Sequence, residues 1–187
     1  MKLVEFIESV EYEKTDKYYL GLIHEVYEII FTESLRDSTL NLLEIGIKDG
    51  LSLLLWKDYF LNATITGIDI KECLSLNKEE RIIQLIEDAY TINTVKTLPS
   101  NFDIIIDDGP HTLESMIFFL THYPNLCRKG GLVILEDILY ADWMPTLLSI
   151  AKTHGTVKHK NIKNLMRSDR LQRKWKDRDY FTIVLEV

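Results

Sequence analysis

TLNLLEIGIKDGLSLLLWKDYF (39–60) decides the fold. Residues 39–47 are a short apolar run broken by Gly46, the pattern of a strand buried on both faces. Residues 51–60 have the length of a helix. Outward from this pair the alternation repeats. TITGIDI (64–70), RIIQLIED (81–88), FDIIIDDG (102–109), GGLVILED (130–137) and DYFTIVLEV (179–187) read as strands. TLESMIFFLTHYPNL (112–126) and ADWMPTLLSIAKTHG (141–155) read as helices, the second closed by Gly155. Upstream, Leu20, Ile23, His24, Tyr27 and Phe31 recur at helical steps over 16–34, with Asp16 as a cap. Strand and helix recur about every thirty residues, which predicts an α/β chain of right-handed βαβ units with helices on both faces of a parallel sheet. Such sheets bind ligands beyond the carboxyl ends of their strands. The acids collect there: Glu44, Asp69, Asp88, Asp107, Asp108, Glu136 and Asp137.

At 187 residues the chain reads as one domain, 1–187, with a helical cap over 1–38 and a Rossmann-like core over 39–187. The net charge of −7 argues against nucleic acid or an anionic membrane as the main partner. Two cysteines, Cys73 and Cys127, make no disulfide framework and fit a reducing compartment. Glu5 and Glu8 interrupt the apolar stretch that a signal peptide needs, so a cytoplasmic chain is expected. No apolar run reaches the ~18 residues of a membrane span. Charge is uneven: Lys152 to Arg178 holds ten Lys/Arg against two Asp/Glu. That stretch is either a solvated face or an anion-attracting flap beside a site.

Glu44, Gly46 and Gly50 form E-x-G-x-x-x-G between a strand and a helix. Gly46 permits a tight turn, Gly50 a close backbone approach, and the following helix aims its N-terminus at the ligand. Asp69, at the end of the next strand, is placed to accept from ribose hydroxyls. Asp88 is placed for an adenine amino group. A dinucleotide and an adenosylmethionine site share these features. The glycine spacing and the negative Glu44 favour the second, whose amino-acid end is cationic.

IIDDGPHTLES (105–115) and VILEDI (133–138) carry the chemistry. Side chains alternate along a strand, so Asp107 and Asp108 face opposite ways, one toward the cofactor and one toward the substrate. Asp108, Glu136 and Asp137 could converge. Three carboxylates together call for a hard divalent cation such as Mg²⁺, or for mutual pKa elevation without metal. His111, at a helix start after Gly109-Pro110, is placed as a general base. Tyr140 and Trp143 follow the acidic pair and could stack on a substrate ring or sit in the core.

These stretches resemble the class I S-adenosylmethionine-dependent methyltransferases. More narrowly, SLLLWKDYFLNATITGIDI (52–70), DDGPHTLE (107–114) and CRKGGLVILEDI (127–138) are similar to the Mg²⁺-dependent O-methyltransferases of deoxysugars such as the rhamnose of antibiotics. TDK (15–17) and HEVYEIIF (24–31) resemble that family's N-terminal helix. Pro110 stands where Ser is more usual, and 141–178 matches poorly apart from Trp143. The resemblance implies a mostly parallel seven-stranded sheet with an antiparallel C-terminal strand. It makes Asp108, Glu136 and Asp137 the metal ligands and His111 the base. It places Glu44, Gly46, Gly50, Ser52, Asp69, Asp88 and Asp107 in the S-adenosylmethionine pocket. The implied acceptor is a sugar hydroxyl of a glycan or glycoside, with a homo-oligomer or a larger glycan-modifying protein left open. Competing readings are a catechol-type O-methyltransferase, a non-catalytic S-adenosylmethionine-binding domain and an RNA methyltransferase.

Overall fold

The computed structural model describes residues 1–10, 15–19, 21–161 and 180–187. Leu20 and the basic stretch 164–178 lie outside the described residues, as does the side chain of Asp16. In chain order the elements are α1 (Leu3–Val10), α2 (Asp16–Tyr19), a π turn (Ile23–Tyr27), α3 (Glu28–Ile30), α4 (Glu33–Arg36), β1 (Thr39–Ile45), α5 (Leu51–Tyr59), β2 (Asn62–Asp69) and β3 (Ile82–Ile86). Then follow α6 (Ile92–Thr97), β4 (Phe102–Asp107), α7 (Leu113–His122), β5 (Cys127–Ile138), α8 (Met144–Ala151), β6 (Thr156–Asn161) and β7 (Phe181–Glu186).

The seven strands form one sheet in the order β3-β2-β1-β4-β5-β7-β6. The pairs β1·β2, β1·β4, β2·β3 and β4·β5 are parallel, and β7 runs antiparallel to both β5 and β6. The strand order reverses between β1 and β4, so a crevice opens beyond their carboxyl ends.

Side-chain alternation divides the core in two. Leu40 and Leu42 of β1, Ile65 of β2, and Ile104 and Ile106 of β4 face α1, the π turn and α5. Leu43 and Ile45 of β1, Ile68 of β2 and Ile105 of β4 face α7 and α8. The described residues before β1 therefore share the core of one sheet face, with Leu3, Ile7 and Tyr27 packed in the same cluster as Trp56 and Tyr59.

The helix expected over 16–34 is broken. Gly21 stands at φ +83°, Ile23–Tyr27 winds as a π turn, and Phe31 leaves helical geometry at φ −91°, ψ 81°. The strand expected from 130 begins at Cys127. β6 was not expected as a strand: TVKHKN carries alternating lysines and no apolar run. It is an edge strand, where lysine guards against pairing with another chain. Among the described residues no helix is long and apolar enough to cross a membrane.

Candidate functional site

The turn after β1 is drawn tight by its neighbours. Gly46 N–H donates to the carbonyl of Ile68 at 2.9 Å, and Asp108 N–H to the carbonyl of Ile45 at 2.9 Å. Asp69 holds the rest of the loop: Oδ2 accepts from the N–H groups of Ile47 (2.8 Å) and Lys48 (3.2 Å), and Oδ1 from Lys71 (3.0 Å). Gly50, at φ +84°, caps α5. The strand ends thus surround a pocket of about 880 Å³, with Gly46, Ser52, Asp69, Asp88, Asp108, His111 and Asp137 in its wall.

Not every expected donor-site residue reaches that wall. Glu44 is fully buried, with Oε2 accepting from the indole N–H of Trp56 at 2.7 Å. Asp107 is buried and accepts from the Tyr90 hydroxyl. Burial, with Asp108 beside it, pushes Asp107 up to about 7 against the stabilising Tyr90 hydrogen bond. Both lie beneath the pocket and support it. Tyr90, unmarked by sequence pattern, does line it. Asp88 is exposed in the wall and accepts from the N–H of Tyr90 at 2.9 Å.

Asp108, His111 and Asp137 come together, each offering one ligand atom within 4.8 Å of the others. His111 Nε2 lies 3.6 Å from Asp108 Oδ1 and 4.0 Å from Asp137 Oδ2. The backbone aims them: His111 stands at φ +54° and Asp137 at φ +52°, a region that His and Asp tolerate better than most residues. At Asp137 the β5·β7 register shifts between Leu135 and Ile138, and a bulge of this kind re-aims a side chain. Two carboxylate oxygens and an imidazole nitrogen in one partly exposed group suit a hard divalent cation.

Glu136, expected among the metal ligands, is set apart from this group. It is buried, its Oε2 lies 2.7 Å from Lys17 Nζ, and its Oε1 accepts from the Tyr27 hydroxyl. The pleat of β5 sends Glu136 and Asp137 to opposite sides. Lys17 also lies 2.7 Å from Asp108 Oδ2 and 3.3 Å from Glu44 Oε1. Burial works against its charge, but Asp108, Glu136 and Glu44 outweigh it and hold the ammonium well above the usual lysine range. Sequence reasoning missed Lys17 and Tyr27 as site residues. Their signal was the TDK and HEVYEIIF stretches, which had been given no chemical role. Tyr140 and Trp143 pack on one another at a ring separation of 4.7 Å, with Tyr140 exposed, outside the pocket wall.

No protein-family model matches the chain. It is 30% identical over 140 residues to 8-demethyl-8-α-L-rhamnosyl tetracenomycin-C 2′-O-methyltransferase of Streptomyces olivaceus, an alignment covering 69% of this chain and 36% of that protein. It is 34% identical over 119 residues to demethylmacrocin O-methyltransferase of Streptomyces fradiae, covering 58% and 30%. The chain thus spans about a third of the length of the curated relatives it matches. Among solved structures it resembles MycE methyltransferase from the mycinamycin biosynthetic pathway in complex with Mg and SAH. There the TM-score is 0.66 and the identity 25%, over 82% of this chain and 43% of that one. The chain therefore carries the Rossmann-like class I methyltransferase fold, and its relatives are deoxysugar O-methyltransferases of macrolide and tetracenomycin pathways.

Proposed function

We propose that this chain is an S-adenosylmethionine- and Mg²⁺-dependent O-methyltransferase domain acting on a hydroxyl of a rhamnose-like deoxysugar, carried by a glycan or glycoside. One observation carries the reading: the group Asp108, His111 and Asp137 stands in the wall of the same pocket as Gly46, Ser52, Asp69 and Asp88. A nucleoside-type donor and a cation-assisted acceptor then meet in one cavity. The MycE complex, with Mg and SAH, supports both cofactors.

The residues divide the work. Asp69 spends both acceptor positions of Oδ2 on the loop and one of Oδ1 on Lys71, leaving Oδ1 a lone pair for a ribose hydroxyl. Asp88, exposed at the far wall, is placed for an adenine amino group. Gly46 keeps the donor loop close to β4. Asp108 and Asp137 would hold the ion, which would supply Lewis acidity to the acceptor hydroxyl. His111 Nε2, within 4.0 Å of both carboxylates, accepts the proton of the reacting hydroxyl. The fixed pocket orients the alkoxide toward the donor's methyl group, and that positioning is the larger contribution to rate.

The test is methyl transfer from S-adenosylmethionine, followed by mass spectrometry, to a panel of rhamnosides and catechols with Mg²⁺ or with EDTA. Product on rhamnosides that disappears in EDTA is expected. Full activity in EDTA, or activity on catechols alone, overturns the reading.

A further inference from the structure

The site contains a cation of its own. Lys17 is 1% exposed, and its Nζ meets carboxylates at three adjacent strands: Glu44 of β1, Asp108 just after β4 and Glu136 of β5. It comes from the N-terminal segment, 91 residues from Asp108 and 119 from Glu136. The remaining oxygens of its partners are assigned as well. Glu44 Oε2 takes the Trp56 N–H, and Glu136 Oε1 takes the Tyr27 hydroxyl. Asp108 differs. Its Oδ2 is held by Lys17, while Oδ1 points toward His111 Nε2 at 3.6 Å. A carboxylate beside a pocket can rotate about its last bond, and here an ammonium at 2.7 Å fixes that rotation.

We propose that Lys17 is a positioning residue for the proposed reaction: it fixes Asp108 with one oxygen toward the His111–Asp137 group and retains Glu136 beneath the site. The inference rests on the reading of Asp108 and Asp137 as the ion-holding carboxylates. It assigns two functions to neighbouring acids. Asp137 faces the pocket, and Glu136 anchors the ammonium that orients Asp108. A buried lysine with only a structural duty would balance charge and leave the orientation of Asp108 to other contacts. The two roles separate when charge is removed in pairs. Lys17→Met alone strands buried carboxylates and lowers stability. Lys17→Met with Glu136→Gln removes one positive and one negative charge, so the net charge of the cluster is unchanged and much of the stability returns.

The experiment titrates Mn²⁺ into the full chain by calorimetry and electron paramagnetic resonance, with circular dichroism and thermal unfolding run on the same samples. The folded double variant is expected to bind Mn²⁺ at least tenfold more weakly than wild type. Glu136→Gln alone, which retains Lys17 on Asp108, is expected to stay within about threefold of wild type. Lys17→Arg, which keeps the charge, is expected to fall between wild type and the double variant. A folded double variant with wild-type Mn²⁺ affinity overturns the positioning role. A loss in Glu136→Gln as large as that in Asp108→Asn makes Glu136 a ligand and overturns its assignment to Lys17. If the double variant does not fold, Lys17→Arg decides: Mn²⁺ affinity between that of wild type and that of Asp108→Asn sustains the role, and affinity equal to wild type overturns it. Wild type that takes up no Mn²⁺ fails the parent reading and this inference together, whereas uptake by wild type and double variant alike fails this inference alone.

Discussion

The main-chain carbonyl of Asp108 occupies the space that a Cβ on Gly46 would need. Gly46 also stands at φ +92°, which other residues resist. The turn after β1 and the turn after β4 therefore pack backbone to backbone, and this contact joins the Gly46 and Asp69 side of the pocket to the side that carries Asp108, His111 and Asp137. Gly46→Ala is expected to cost about 3 kcal/mol or more in stability, from the left-handed backbone and the collision with a carbonyl that cannot swing aside. Urea unfolding measures the loss, and calorimetry with S-adenosylhomocysteine should show donor binding abolished. Wild-type affinity in this variant would detach the loop from donor binding.

Asp69 supports the donor loop through the N–H groups of Ile47 and Lys48. Asp69→Ala leaves both donors without their partner and removes the carboxylate proposed for the ribose. Donor affinity is expected to fall by about 10- to 100-fold, corresponding to one or two charge-assisted hydrogen bonds. Mn²⁺ uptake should hold, because Asp69 is not in the group Asp108, His111 and Asp137 proposed to hold the ion. Parallel calorimetric titrations with S-adenosylhomocysteine and Mn²⁺ check both halves.

Much of this architecture was legible from residue pattern. Ile45, Ile68, Ile106 and Leu135 lie in apolar runs too short for helices, and each run ends in acids because parallel strands deliver their carboxyl ends to one edge. The same pattern failed where geometry breaks the period. Gly21 and the π turn interrupt 16–34, although the apolar spacing there reads as one helix. β6 hides behind its lysines. Glu136 and Asp137 were grouped as neighbours, yet strand alternation, which separated Asp107 from Asp108 in the sequence reading, separates this pair too. Lys17 stood in the TDK stretch without a role for a different reason: no local pattern indicates which distant carboxylates a lysine will meet.

Asp107 gives the pocket a pH signature. Burial raises its pKa from 3.8 in the unfolded chain to about 7 in the fold. The folded state then binds the proton more tightly than the unfolded one, so stability from this group falls as pH rises from about 4 to about 7, then levels. The linkage is on the order of 4 kcal/mol. Asp107→Asn still accepts from Tyr90 and removes the titration. Urea unfolding at pH 5 and pH 8, without divalent ions, should show a smaller difference in the variant than in wild type. An equal difference assigns the slope to other acids.

His111 can be tested without disturbing its backbone. At φ +54° alanine would add strain, whereas asparagine is comfortable in the left-handed region and cannot act as a base near neutral pH. His111→Asn is expected to lower methyl transfer to the rhamnoside by 100-fold or more, the usual size of a lost general base. Donor affinity should be unchanged. Mn²⁺ affinity separates the two roles open to an imidazole 3.6 Å from Asp108 and 4.0 Å from Asp137. A base leaves Mn²⁺ binding within a few-fold of wild type and removes the acid limb of the rate–pH profile. A ligand loses Mn²⁺ and turnover together. Unchanged turnover would assign the proton to another group.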